Sequence, residues 1–341
     1  MTQTQPAYLL ENVTHFYGNK KVLDIAHLAI AKGSITGLLG PNGSGKSTLL
    51  KLLAFAMRPA FGNIFFNGRR EYPFSPNIRS RVTLVTQKPY LLRRTVYENI
   101  AYGLQIRRDT ADIQTRIHRA LARVGLAYEG FAHRPWHALS GGEAQRVAMA
   151  ARLILKPRVL LLDEPVASVD AQSAALIRQA ALAARENWET TLVIASHDLA
   201  WLFDCSDTQI SISNGTLFST GMEIIIPGPY TTGRRGLSKI LDNGQCIVMP
   251  PAARSGKTAV IQREKIHLAT GPQTDNRYDN QIKGQIQSMH MTGKHREIMT
   301  AIAVPEMTFM LGLDPDFTGS LSLQPGKEVF LLFRSQDIVW R

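Results

Sequence analysis

The sequence predicts an α/β domain with a helical insertion, followed by a small all-β, barrel-like domain. Three observations carry this. Strand-like and helix-like segments alternate from Tyr8 to about Gly221. Residues 34–39, 159–162 and 191–195 are apolar runs of the kind found in parallel strands covered on both faces. Beyond Gly228 the texture changes to short β-rich stretches punctuated by turns. We place the boundary between residues 1–228 and 229–341, with the helical insertion at about 88–157.

In chain order, Gly40-Pro41-Asn42-Gly43-Ser44-Gly45-Lys46-Ser47 follows the first apolar run and fits GxxxxGK[ST] without a mismatch. A helix is expected over 48–56, opening at Thr48. Glycines in such a loop turn backbone N–H groups toward phosphates, and the helix N-terminus adds its positive end. Lys46 is expected on the β- and γ-phosphates and Ser47 on Mg²⁺. Within the insertion, Ile113, Ile117, Ala120, Leu121 and Val124 recur at helical spacing and predict an amphipathic helix. The run 159–162 then delivers Asp163 and Glu164 to the C-terminal end of a buried strand. Asp163 suits the metal shell, and Glu164 suits polarising a water as general base. The bland alternatives are a glycine-rich turn and a solvated pair of carboxylates.

Leu139-Ser140-Gly141-Gly142-Glu143, with Gln145 and Arg146 close behind, opens a helix expected over 143–155. Ser-Gly-Gly at a helix start offers unbonded N–H groups to an anion, or simply an N-cap serine. Placed between the phosphate loop and the Asp163-Glu164 strand, this phrase resembles the signature of ABC (ATP-binding cassette) ATPases. The resemblance covers roughly residues 6–228. It implies a P-loop NTPase of the ABC cassette type that hydrolyses ATP with Mg²⁺. It further implies a head-to-tail dimer, in which Ser140, Gly141 and Gly142 of one subunit cap the ATP held by the other.

Four weaker features take their roles from the resemblance. Gln87 matches the glutamine that senses Mg²⁺ and the attacking water, so it joins Ser47 and Asp163 around the metal and Glu164 among the catalytic groups. Ser168-Val169-Asp170 resembles the loop that crosses between subunits, with Asp170 counted at the nucleotide. His197 resembles the switch histidine on the γ-phosphate. Tyr17 matches the aromatic that stacks on adenine. Read alone, these four are a turn residue, a helix-start loop, a strand-end histidine and a core aromatic. Two departures stand out: Val166 replaces a common hydroxyl residue, and Ala150-Ala151-Arg152-Leu153 moves an arginine along the helix, leaving its partner open.

The implied partners are a second copy of the chain, a membrane permease and, indirectly, a solute-binding protein. A permease would contact the region Gln87 to Tyr102, including Pro89, Tyr90, Leu91 and Leu92. No run is long enough to cross a bilayer, and no signal peptide is visible at the N-terminus. Cys205 and Cys246 lack a metal or disulfide spacing, which fits a reducing compartment. A cytoplasmic subunit held peripherally at the inner membrane is expected. The formal charge of +12 invites nucleic acid, but the basic residues are scattered, and the densest spots are pairs such as Arg93-Arg94, Arg107-Arg108 and Arg234-Arg235. We expect no nucleic-acid partner.

In the C-terminal part, strands are expected over 258–261, 282–291, 298–304 and 328–333, with turns at 242–244, 254–256 and 324–326. Residues 259–268 partly resemble a phrase of the TOBE domain. Such a domain either binds a small regulatory ligand or serves as a dimerisation or spacer module. Met289-His290-Met291 with His295 reads as core methionines beside an exposed histidine rather than a soft-metal site. The phrases at 86–92, 95–100 and 168–170 look most like tungstate- and molybdate-type importer ATPases. Sugar, phosphate and metal-ion import stay open, as does a soluble ABC protein outside transport.

Overall fold

Alternating burial along short strands fixes the main sheet. Leu160 and Leu162 of Val159–Asp163 enter one apolar layer, while Val159 and Leu161 enter the other. A strand covered on both faces needs this unbroken apolar run. The computed structural model describes residues 5–75, 78, 80–167, 169–213, 215–219, 223–233, 236–251, 259–274, 277–291 and 297–340. Ser168, Arg234, Arg235, the turn at 254–256, Thr258 and His295 lie outside them.

The chain divides into two compact units, Met1–Leu217 and Phe218–Arg341. The first is built on one mixed sheet of β1 (Tyr8–Tyr17), β2 (Lys20–Ile30), β3 (Ile35–Leu39), β4 (Phe61–Phe66), β5 (Arg69–Arg70), β6 (Val82–Val85), β7 (Val159–Asp163), β8 (Thr191–Ala195), β9 (Thr208–Ser213) and β10 (Thr216–Ser219). Their order is β5-β4-β1-β2-β10-β9-β3-β8-β7-β6. β9, β3, β8, β7 and β6 run parallel, so their C-terminal ends share one edge. Open α/β sheets bind ligands at that edge. β1, β2, β4 and β5 pair antiparallel and form the opposite arm of the sheet.

The loop helix covers Lys46–Leu53, earlier at both ends than the expected 48–56. It stops because Phe55 takes a left-handed φ of 52°. Phe55 N–H then donates to Leu52 O, and Ala56 N–H to Lys51 O, which satisfies the last carbonyls. The insertion contributes the helices Val96–Ile106, Ile113–Arg123, Tyr128–Phe131 and Gly141–Leu153. Asn99, buried, bonds the backbone of Leu92, Arg94 and Thr95 and so shapes the preceding loop. The signature helix begins two residues before the expected start, because Ser140 is its N-cap and Glu143 closes a capping box. No helix among the described residues is long and apolar enough to cross a membrane.

The second unit holds three antiparallel arrangements around one apolar core that includes Ile226, Ile261, Ile302, Phe309 and Phe333. Glu223–Ile226 pairs with Ala259–Gln262, which pairs with Ile338–Trp340. Thr231–Gly233, Gly236–Ile240 and Cys246–Val248 form a second sheet. The third runs His267–Ala269, Glu328–Phe333, Asn280–Met291, Ile298–Val304, Met307–Leu313. Met291 is 70% exposed, which corrects the reading of it as a core residue. A register shift between Ile286 and Ser288 breaks the alternation, and Met291 ends the strand in solvent beside the exposed His290. Among the described residues no cluster of His, Cys, Asp or Glu could hold a metal by itself.

Candidate functional site

Four strand ends build a cleft of about 720 Å³, lined by Tyr17, Lys20, Lys21, Val22, Asn42, Gly43, Gly45 to Thr48, Gln87, Asp163, Glu164, His197 and Gly215. The loop after β3 supplies Gly40 to Ser47, and β7 ends on Asp163. Gln87 follows β6, and His197 follows β8. The loop requires its glycines. Gly45 sits at φ 113°, and a Cβ there would lie 2.7 Å from Leu23 Cδ2. Ser44 is buried, and its Oγ finds no partner among the described residues.

Lys46 is buried at 6% exposure, and its Nζ donates to Gly40 O at 2.6 Å and Pro41 O at 3.1 Å. Burial pushes its pKa below the ordinary value, while Glu164 and Asp163 partly offset that. Ser47 Oγ donates to Asp163 Oδ1 at 3.0 Å. A hydroxyl and a carboxylate side by side at a phosphate loop fit Mg²⁺, which keeps most of its shell as water and phosphate oxygens. Thr48 is buried within the helix.

Glu164 is buried, and its backbone adopts a left-handed φ of 49°. That turn is pinned by Glu164 N–H to Ala195 O at 2.8 Å. Glu164 Oε2 accepts from His197 N–H at 3.1 Å, and Oε1 lies 3.1 Å from His197 Nε2 without hydrogen-bond alignment. The other neighbour of His197 Nε2 is Asn42 Oδ1, at 3.0 Å. This link to Asn42 went unread in the sequence, where Asn42 counted only as a loop position. Tyr17, half exposed, stands after a register shift between His15 and Phe16, edge-on to the His15 ring at 5.2 Å. Lys20, Lys21, Val22 and Gly215 also went unread, because no motif marks a hairpin folded over the cleft.

Ser140, Gly141, Gly142 and Asp170 do not line this cleft. Ser140 Oγ accepts from Glu143 N–H at 3.2 Å, and Glu143 Oε2 accepts from Ser140 N–H at 2.8 Å. Asp170 caps the helix Ala171–Trp188. Its Oδ1 accepts from Ser173 N–H at 2.8 Å and its Oδ2 from Ser173 Oγ at 2.7 Å, which hold its carboxyl below the usual range. Gly142 touches this same cap: a Cβ there would meet Ser173 Oγ at 2.7 Å and Asp170 Oδ2 at 2.8 Å. Arg152, whose partner the sequence left open, donates from Nε to Leu84 O at 3.4 Å.

A family model described as ABC transporter matches residues 23–167. The Fe(3+) ions import ATP-binding protein FbpC of Vibrio cholerae is 35% identical over 222 residues, covering 64% of this chain and 62% of that protein. The tungstate uptake system ATP-binding protein TupC of Peptoclostridium acidaminophilum is 35% identical over 207 residues, covering 60% of this chain and 94% of that protein. The spermidine/putrescine import ATP-binding protein PotA of Mesoplasma florum is 35% identical over 256 residues, covering 74% and 73%. Among solved structures, the ATP-binding cassette MJ0796, dimeric in a post-hydrolysis state bound to ADP and Pi, is 26% identical with a TM-score of 0.57. That match covers 62% of this chain and 98% of the other.

Proposed function

This chain belongs to the ATP-binding proteins of ABC transporters, and we propose from that premise that it powers an importer of an oxyanion of the tungstate or molybdate type. It is an ATP hydrolase of the P-loop, ABC cassette kind, using ATP with Mg²⁺. Two copies close head-to-tail on ATP and drive a membrane permease, which receives solute from a binding protein. The chain works at the cytoplasmic face, held there by the permease.

One observation carries the dimer. The cleft gathers Lys46, Ser47, Gln87, Asp163, Glu164 and His197, yet the N-terminus of the signature helix opens elsewhere on the same chain. A second anion cradle of unbonded N–H groups has its use on the ATP of another subunit. Ser47 and Asp163, with Gln87 nearby, would hold Mg²⁺, which would supply neutralisation of charge on the phosphates. Lys46 neutralises more of it, and Tyr17 stacks on the base. Glu164 orients the attacking water and takes its proton, while His197 and Asn42 fix the carboxylate and meet the γ-phosphate. Asp170 keeps the capped loop beside Gly142 in the shape that crosses to the partner subunit.

Glu164→Gln tests this reading. General-base assistance is worth about 10²–10⁴-fold, so turnover falls by that order while ATP still binds. The variant accumulates as an ATP-bound dimer on size exclusion. A variant that stays monomeric with ATP and turns over normally refutes the sandwich.

For the solute, the support is the match to TupC across 94% of its length. A second reading, ferric iron or a polyamine, has equal support in identity from FbpC and PotA, each at 35%. With its permease and binding protein reconstituted in vesicles, tungstate is expected to stimulate ATP turnover. Stimulation by ferric iron or spermidine alone overturns the oxyanion reading and leaves the ATPase intact.

A further inference from the structure

The arginine displaced along the signature helix has a counterpart on the same face. Gln145 and Arg152 are seven residues apart, two helical turns, so their side chains leave the helix in one direction. Both reach β6 or the residue directly after it. Gln145 Nε2 donates to Thr86 O at 3.2 Å, and Arg152 Nε donates to Leu84 O at 3.4 Å. β6 is the edge strand of the main sheet, with β7 on one side only. Leu84 lies within β6 and Thr86 just past its end, and both turn their carbonyls to this helix. The helix side chains thus take the place of a missing neighbouring strand.

The two ends of this clamp matter. Gln87 directly follows Thr86 and lines the cleft of its own subunit. Ser140 to Gly142 begin the same helix about 4–8 Å along its axis from Gln145. On the other side of the helix, Arg146 donates to Val124 O and Gly125 O, binding it to the insertion. Gln145 is almost wholly buried, yet its Oε1 has no partner among the described residues. A buried amide oxygen without a donor is a cost that leucine would not carry. The half of the amide that is bonded is the half that reaches the loop of Gln87.

We infer that Gln145, assisted by Arg152, is a positioning residue that couples ATP in one cleft to the signature the same chain offers its partner. A shift of Gln87 on binding ATP pulls Thr86, and through Gln145 re-aims the N-terminus of the signature helix. The inference rests on the head-to-tail dimer proposed above. It makes hydrolysis cooperative in ATP, because each subunit's occupancy sets the quality of the other's site.

The test uses the full chain and steady-state ATP turnover. The parent chain is expected to show a Hill coefficient approaching two, the number of sites. Gln145→Leu is expected to bring it close to one and to lower kcat about tenfold, with KM for ATP within about threefold. Gln145→Glu has the same shape but no donor when ionised, and is expected to behave alike; it serves where Leu fails to fold. Parental cooperativity in a folded variant overturns the inference. So does joint loss of ATP affinity and melting temperature, which marks a purely structural amide. The two readings separate on Glu164→Gln. If that chain stays monomeric with ATP, the dimer itself fails; if it dimerises and Gln145→Leu keeps its cooperativity, only the coupling fails.

Discussion

Gly142→Ala isolates the signature from the rest of the site. Within a helix, alanine is favoured over glycine by up to about 1 kcal/mol, so local propensity predicts a gain. The surroundings predict a larger loss. The new Cβ would lie 2.7 Å from Ser173 Oγ and 2.8 Å from Asp170 Oδ2, against ordinary contacts that begin at 3.4 Å. Neither oxygen swings away freely, since Ser173 donates to Asp170 through both its backbone N–H and its hydroxyl. The helix or the capped loop must therefore give by about 0.7 Å, and overpacking of this kind costs roughly 1–3 kcal/mol. Both elements proposed to face the partner subunit are displaced, so the penalty is expected to fall on dimerisation. At 1.4 kcal/mol per tenfold, ATP-dependent association weakens by roughly 5- to 150-fold. Sedimentation in a Glu164→Gln background measures it, and nucleotide titration of the monomer is expected to stay within about twofold, because Gly142 does not line the cleft. Association as strong as the parent's would refute the reasoning.

Two further outcomes follow from the same geometry. Lys46→Ala removes a charged donor worth about 1.5–3 kcal/mol, so ATP affinity falls roughly 10- to 150-fold; the melting temperature holds or rises, because a buried ammonium whose pKa burial lowers is no longer carried. Unchanged nucleotide affinity in a titration would exclude Lys46 as a phosphate ligand. Asp170 titrates below its ordinary 3.8 because Ser173 donates to the carboxylate, so its contribution to stability is present above 3.8 and lost as pH falls through the lower, folded value. Asp170→Asn keeps a capping oxygen and flattens that acid limb; melting curves between about pH 5 and pH 2 check it, and an unaltered slope counts against the cap.

Much of the nucleotide-binding edge was legible because its residues are forced. A left-handed Gly45 against Leu23, an apolar run between two layers, and carboxylates at a strand end each leave a local mark. The strands Ile298–Val304 and Glu328–Phe333 match the expected bounds, since short, nearly unbroken apolar runs are a local signal too. Helix ends were less legible. Phe55 stops the loop helix in a conformation that glycine usually marks, so the sequence pointed three residues further, to 56 instead of Leu53. The strand Met307–Leu313 and the helix Pro315–Ser320 went unread, although Asp314 followed by Pro315 is a helix-start signal. The contacts of Arg152, Gln145 and Asn42 were not legible at all. Each joins residues far apart in the chain and depends on how elements pack.

The left-handed backbone at Glu164, the proposed general base, sets durability against turnover. Glycine or asparagine would sit there with less strain, and the hydrogen bond from Glu164 N–H to Ala195 O would survive either change. A laboratory selection that rewards heat resistance alone therefore has a short path to discarding this carboxylate. Only a selection that also demands solute uptake keeps glutamate in a turn its own Cβ resists.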